Sequence, residues 1–315
     1  MKILITGGNG YKGTVLIPRL LQKGHFIRSI DTNWFGDYLI PHKNLEKIKC
    51  DIRELKNDHL RDIDCVIHLA NIANDPQVDL NPQLSWEVNV LGSQLLAQLC
   101  VQEGVKQLIF ASSGSVYGVS KRPKVTEDTP LVPISAYNKT KMVAERIFLS
   151  YKDSINIICV RPATVCGVSP RMRLDVSVNI LTYSALKNGC INVFGGNQIR
   201  PNIHIDDICS LYEFFLGKET SIPSGFFNAG FENISILDIA NRIKLKLPDC
   251  EIKISESNDP RSYRQCSDKI INYGFQPKKN VDNAIKEIID AYNSGELNDD
   301  DTCFSIKQLK SKNIK

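Results

Sequence analysis

The sequence predicts an α/β fold, a doubly wound parallel sheet followed by a smaller C-terminal α+β lobe. Three observations carry this expectation. Apolar runs alternate with helix-like stretches through the first half of the chain, and a glycine-rich turn separates the first run from the first helix. After about Arg161 the spacing turns irregular, with Gly and Pro clustered around residues 167–170 and 195–201. Alternation of this kind needs right-handed helical crossovers between parallel strands, which puts helices on both faces of the sheet. At 315 residues the chain can bury such a core without staples, and 42% hydrophobic with 23% charged residues excludes disorder, collagen and coiled coil.

Taken in order, KILIT reads as the first strand, and a helical pattern runs from Tyr11 to Lys23 after the glycine turn. FIRSID, EKIKCD and DCVIHLA read as strands two to four. A long amphipathic stretch from about Pro82 to Glu103 precedes QLIFASS, a helix from about Ala136 to Tyr151 follows it, and INIICVRP closes the series. The expected division is a sheet domain over 1–162, a second lobe over 163–293 that exchanges strands or helices with the first, and a loosely held polar tail over 294–315. Charge excludes some partners. Thirty-nine Lys and Arg against 35 Asp and Glu give only +4, dispersed along the chain, which supplies no footprint for nucleic acid or an anionic membrane surface. Ten cysteines without a CxxC pair, several inside apolar runs, read as buried thiols in a reducing compartment and not as a zinc or redox site. With no signal-peptide pattern and no apolar run approaching 18 residues, the expected location is cytoplasmic.

Directly after the first strand stands TGGNGYKG, with Gly7, Gly10 and Gly13 spaced G-x-x-G-x-x-G before a helix. The first glycine lets the chain turn, the second lets backbone N–H groups approach a pyrophosphate, and the third lets helix and strand pack closely. Asp31 ends the second strand 21 residues after Gly10. A carboxylate there accepts hydrogen bonds from ribose hydroxyls and repels a 2′-phosphate, so the pattern predicts NAD over NADP in a Rossmann-type site.

Tyr137 and Lys141 in YNKTK lie four apart on the predicted helix, so their polar ends share a face. A phenol beside an ammonium is biased toward phenolate, which fits it to take a proton from a hydroxyl as hydride leaves the same carbon. Ser113 ends the strand QLIFASS, where sheets of this type bind ligands, and suits the hydrogen bond to the reacting oxygen. Ser112 is its nearest competitor for that role.

The glycine spacing resembles that of the extended short-chain dehydrogenase/reductases. SSGSVYG, YNKTK and RPATVCG are similar to the NAD-dependent epimerase/dehydratase family acting on nucleotide sugars. The resemblance implies a catalytic set of Ser113, Tyr137 and Lys141. It implies cofactor contacts from Gly7, Gly10, Tyr11 and Gly13, from Asp31, and from Asp51 and Ile52 around adenine. Leu69 and Ala70 after His68, then Asn89, Tyr137, Lys141 and Pro162, complete that set. For the substrate it implies Ser113 and Ser115, Asn179 in DVSVNI, Arg200 in RPNIHIDD as the diphosphate ligand with His204 beside it, and Arg261 with Tyr263 in DPRSYR. No metal is expected.

Two departures narrow the reaction. The family's 4,6-dehydratases carry an Asp-Glu pair after the active-site hydroxyl residue, where this chain has Gly114 and Ser115. Thr164 stands where the galactose epimerases usually have asparagine. The reading implied is an NAD-dependent nucleotide-sugar 4-epimerase acting through a transient 4-keto sugar. A nucleotide-sugar 4-dehydrogenase or ketoreductase is the alternative within the family, and a non-catalytic dinucleotide-binding regulator the alternative outside it. The resemblance also implies a homodimer joined through the helices around 82–103 and 136–151.

Overall fold

The computed structural model describes residues 1–256 and 262–314. Twelve strands are present among them: β1 (Lys2–Thr6), β2 (Phe26–Asp31), β3 (Leu45–Lys49), β4 (Cys65–His68), β5 (Gln107–Ala111), β6 (Asn156–Pro162), β7 (Thr164–Cys166), β8 (Cys190–Phe194), β9 (Ile199–His204), β10 (Gly225–Ala229), β11 (Glu232–Ser235) and β12 (Glu251–Ser255). Seven of them form one all-parallel sheet in the order β10-β6-β5-β4-β1-β2-β3. The order reverses between β1 and β4, and beyond the carboxyl ends of those strands lies the crevice in which such sheets bind ligands.

The apolar residues of the strands supply both faces of the core. Ile3 and Ile5 pack with Leu16, Ile17 and Leu20 of the helix Gly13–Gln22 and with the helix Ile205–Phe215. Leu4, Val66, Leu108 and Phe110 pack on the other face with Leu96 and Phe148. All of these strand residues are at most 1% exposed, which is why the sequence shows near-continuous apolar runs instead of alternation.

The seventh strand, β10, comes from beyond residue 162. It pairs with β6 in the register Gly225↔Ile158 to Ala229↔Pro162. The rest of the second lobe is a three-stranded sheet, β11-β9-β7, and a parallel pair, β12-β8. The stretch expected as one helix from Pro82 to Glu103 runs as Pro82–Trp86, a π-turn over Glu87–Leu91, and Gly92–Gln102.

The tail is not loosely held. It forms the helix Ser305–Ser311, with Cys303, Ser305 and Leu309 buried, and Leu174 N–H donates to the Cys303 carbonyl at 2.9 Å. Three small or apolar residues on one side of a charged segment are enough to dock it. No described helix is long and apolar enough to cross a membrane.

Candidate active site

A cavity of about 910 Å³ opens at the switch point between the sheet and the second lobe. One end is the glycine turn. Gly7 has φ +75°, and a Cβ there would stand 2.6 Å from Ala70 N, so the turn lies directly on the end of β4. At Gly13 a Cβ would lie 2.4 Å from the Gly8 carbonyl oxygen, which makes the start of the helix equally intolerant of a side chain. This bare backbone at a helix N-terminus fits a dinucleotide diphosphate.

Asp31 stands at the mouth of the turn. Its carboxylate accepts from Asn9 N–H at 2.9 Å and Asn33 N–H at 2.8 Å, and burial raises its pKa. Each carboxylate oxygen keeps a second acceptor site for a ribose hydroxyl. Tyr11, Asp51, Ile52, Leu69, Ala70 and Pro162 line the same cavity. The Tyr11 hydroxyl donates to the Gly167 carbonyl at 2.7 Å and so ties the turn to the second lobe.

The helix Ala136–Leu149, capped by Ser135, brings Tyr137 and Lys141 to the cavity beside Ser113. Ser113 and Ser115 share a hydrogen bond of 2.7 Å, and hydrogen bonding from Ser113 and the Asn74 backbone acts to lower the Tyr137 pKa. Ser112, the competing serine, is unsuited to the role: it is 3% exposed and donates to Glu145 at 2.6 Å. Lys141 donates to the Ala111 carbonyl at 2.9 Å and lies 4.9 Å from the centre of the Phe110 ring.

The expected easing of Tyr137 toward phenolate is absent from the protein alone. Burial pushes its pKa up to about 12, against the two hydrogen bonds that lower it. Burial also draws Lys141 well below the usual lysine range. The pair is desolvated before ligands enter.

Two expected contacts stand behind the cavity wall instead of in it. Asn89, on the π-turn, accepts from Ile72 N–H at 2.8 Å and donates to the Ile72 carbonyl and to Thr140, because the widened turn aims its amide at the backbone after β4. Asn179 is fully buried, accepts from Gly167 N–H at 3.1 Å, and donates to the Tyr11 hydroxyl and the Arg173 carbonyl. Both position lining segments. Arg200, on β9, lines the cavity, as do Thr164 and Tyr263. His204 does not; its Nε2 lies 3.0 Å from Glu287. Arg261 lies outside the described residues.

Sequence reasoning missed several charged groups that line the cavity, Lys12 and Asp175 among them. Arg171 is 3% exposed, its guanidinium stands 4.0 Å from the centre of the Phe35 ring, and its Nε is buried without a hydrogen-bond partner. Arg173 donates to Asp175 at 2.8 Å, with its Nη2 buried and unpartnered. Asp75 accepts from Ser135 and acts electrostatically on Tyr137. The one sequence signal for the two arginines was SPRMRLD, a Pro-bounded segment without periodicity.

A parallel seven-stranded sheet with a glycine turn at its switch point, joined to a lobe that closes over Ser113, Tyr137 and Lys141, defines a dinucleotide-dependent enzyme of the extended short-chain dehydrogenase/reductase type. Residues 3–230 match the NAD dependent epimerase/dehydratase family, and the chain belongs to that family, whose cofactor is NAD. A UDP-glucose 4-epimerase of Lactobacillus helveticus is 29% identical over 314 residues, spanning 90% of this chain and 95% of that one. Among solved structures, a UDP-glucuronic acid 4-epimerase from Bacillus cereus in complex with UDP-glucuronic acid and NAD aligns with TM-score 0.83 at 25% identity, over 93% of this chain and 99% of that one. A dTDP-glucose 4,6-dehydratase from Streptomyces venezuelae aligns with the same TM-score at 20% identity over 93% and 98% of the two chains, a likeness of fold.

Proposed function

We propose that this protein is a nucleotide-sugar 4-epimerase working through a transient 4-keto sugar. The observation that carries the reading is the convergence of Ser113, Tyr137 and Lys141 on one cavity, with Gly114 and Ser115 following the serine where a dehydratase needs an acid and a base. Bound NAD supplies the acceptor, and afterwards the donor, of the C4 hydride. Tyr137 takes the C4 hydroxyl proton and later returns it, while Ser113 hydrogen-bonds the same oxygen in both states. Lys141 orients the cofactor ribose and lends the phenolate its positive charge. Arg200 grips the sugar-nucleotide diphosphate from the second lobe, which fixes one end of the substrate while the 4-keto sugar turns over. The epimerase among the relatives supports this reading, as does the similarity to the solved UDP-glucuronic acid 4-epimerase.

The subunits pair as a homodimer through the helical run 82–102 and the helix Ala136–Leu149, which pack on each other and leave Trp86, Leu91 and Val101 exposed on the first. Sedimentation at micromolar concentration should give twice the chain mass.

A panel of UDP- and dTDP-sugars incubated with the protein in D₂O tests the reaction. An epimerase yields C4 epimers with no deuterium at C4, C5 or C6, and the cofactor stays bound without net NADH. Stoichiometric NADH with an undeuterated 4-keto sugar would make it a 4-dehydrogenase. Deuterium at C5 with a 6-deoxy product would make it a dehydratase, with Asp75 first in line as the base. No turnover of any sugar nucleotide, with NAD bound, would leave a dinucleotide-binding regulator.

A further inference from the structure

We infer that Lys12, a residue of the glycine turn whose ammonium rests against the Tyr212 hydroxyl, is a counter-charge for the diphosphate of the dinucleotide cofactor, left for an incoming anion to pair. Binding by such turns otherwise relies on backbone N–H groups and the helix dipole. Lys12 occupies the N-cap of the helix Gly13–Gln22, makes no capping hydrogen bond with its side chain, and lines the cavity. Among the described residues its ammonium makes one long hydrogen bond, 3.3 Å to the Tyr212 hydroxyl, whose ring centre lies 5.7 Å away.

The surroundings supply no negative charge. Among the described residues no carboxylate lies within ion-pairing distance of its Nζ. Helix Ile205–Phe215 presents Tyr212 and Cys209, both neutral at ordinary pH because burial pushes the Cys209 thiol up to about 12 and the Tyr212 phenol well above its usual range. The other two groups that act electrostatically with Lys12 are basic, Arg173 from the segment after β7 and Lys141 from the helix Ala136–Leu149. Burial draws the Lys12 ammonium down to about 8. A half-hidden charge without a partner is unfavourable alone and favourable once an anion arrives. The flexible lysine stem lets the ammonium leave Tyr212 for a phosphate oxygen. The dinucleotide diphosphate is the anion that the position selects, because Lys12 belongs to the turn that cradles it, whereas Arg200 serves the sugar nucleotide from β9.

The inference rests on NAD binding alone, so it stands whichever sugar reaction follows. The sign of its pH dependence can be worked out. An anion raises the Lys12 pKa, so the charged form is favoured in the complex. Affinity is therefore full below about pH 8, and declines as pH rises through that value while the free protein sheds the proton.

Calorimetric titration of the nucleotide-free full chain with NAD, ADP-ribose and UDP tests it, for wild type, Lys12→Met and Lys12→Arg. Expected are an approximately 10-fold to 100-fold weaker affinity of Lys12→Met for both NAD and ADP-ribose, the scale of a charge-assisted hydrogen bond. Affinity for UDP should be unchanged, and Lys12→Arg should restore binding. Wild type should take up a proton on binding ADP-ribose near pH 8.5, and lose affinity from pH 7.5 to 9.5; any slope left in Lys12→Met belongs to Lys141. An unchanged ADP-ribose affinity in Lys12→Met overturns the inference, as does a loss confined to NAD, which would assign Lys12 to the nicotinamide end, or a loss confined to UDP. If Lys12→Met does not fold, the wild-type proton uptake still decides: its absence overturns the inference.

Discussion

Arg161 and Glu145, behind the catalytic wall, have side chains 1% and 0% exposed, whereas Lys279, Asp206 and Glu287, behind the strand that carries Arg200, keep 36%, 37% and 32% of theirs open to solvent. The first network is dry and closed. Glu145 accepts from Ser112 and from both Nε and Nη2 of Arg161, each at 2.8 Å, and the remaining Arg161 nitrogen reaches the Tyr117 hydroxyl at 2.7 Å. The second is wet: Lys279 bridges Asp206 and Glu287, each at 2.6 Å, and Glu287 holds His204. The difference teaches where geometry has to be exact to fractions of an ångström. Glu145 lies on the same helix as Tyr137 and Lys141, eight and four residues on respectively, so the dry fork fixes the face that carries the proton transfer. A sugar that must turn between two hydride transfers needs a grip at its diphosphate and room elsewhere, which a solvated wall allows.

The largest break in this comparison comes from the chemistry itself. Tyr137→Phe should lower turnover by about 10²-fold to 10⁴-fold while NAD and UDP bind nearly as before, the scale of a positioned acid-base group. Steady-state rates with equilibrium binding check it; retained turnover at pH 7 would put the proton on another group. Burial holds the phenol near 12 in the free protein, and wild-type turnover should rise with pH as the phenol of the cofactor-loaded enzyme gives up its proton.

Next in size is the dry fork. Arg161→Met strands the Glu145 carboxylate in the core and should cost about 3–5 kcal/mol of stability, seen as a lowered urea midpoint. The double substitution Arg161→Met with Glu145→Leu should recover much of that stability, since a buried pair replaced whole is often neutral. If the double variant regained stability together with full turnover, the fork would have no positioning role. On the solvated wall, Arg200→Ala should weaken UDP by about 10-fold to 100-fold and leave NAD unchanged, measured by calorimetry. An unchanged UDP affinity would move the diphosphate grip elsewhere, to Arg171 or Arg173 on the cavity wall or to Arg261.

The dry half of this picture was the legible half. KILIT, the glycine turn, Asp31 and the four-residue spacing of Tyr137 and Lys141 are local patterns, and local periodicity is what a sequence displays. The pairing of β10 with β6, the docking of Ser305–Ser311 and the arrival of Arg171 and Arg173 at the cavity join residues far apart in the chain, so no spacing announces them. Asn89 and Asn179 show the complementary error. A polar residue in an expected motif position was read as a ligand contact, while the fold uses each amide to satisfy buried backbone: Ile72 in one case, Gly167 and Arg173 in the other. Ser113 was preferred over Ser112 by its place in SSGSVYG, and Glu145, 33 residues later, engages the Ser112 hydroxyl.

The smallest predicted effect sharpens the comparison by pH. Glu287 is held down to about 2 against the pull of burial, by its hydrogen bonds to His204 and Lys279. A carboxylate whose folded pKa is depressed contributes stability above its unfolded value, and that contribution is lost as pH falls toward the folded one. The window therefore runs from about 4.5 down to about 2. About a third of the side chain is exposed, so solvent screening leaves roughly 1 kcal/mol of the contribution that the shift implies. Glu287→Gln should thus lower stability by that amount at pH 7, read from the urea midpoint, and the gap between variant and wild type should close between pH 4.5 and 2. A gap that stayed constant across the window would mean that Glu287 acts through packing instead of charge. The dry fork offers the contrast: the Glu145 side chain is fully buried, so the deficit of Arg161→Met should persist at moderate acidity as a failure of packing and pairing together. Should the two deficits follow the same pH curve, the division between a dry catalytic wall and a wet binding wall would be lost.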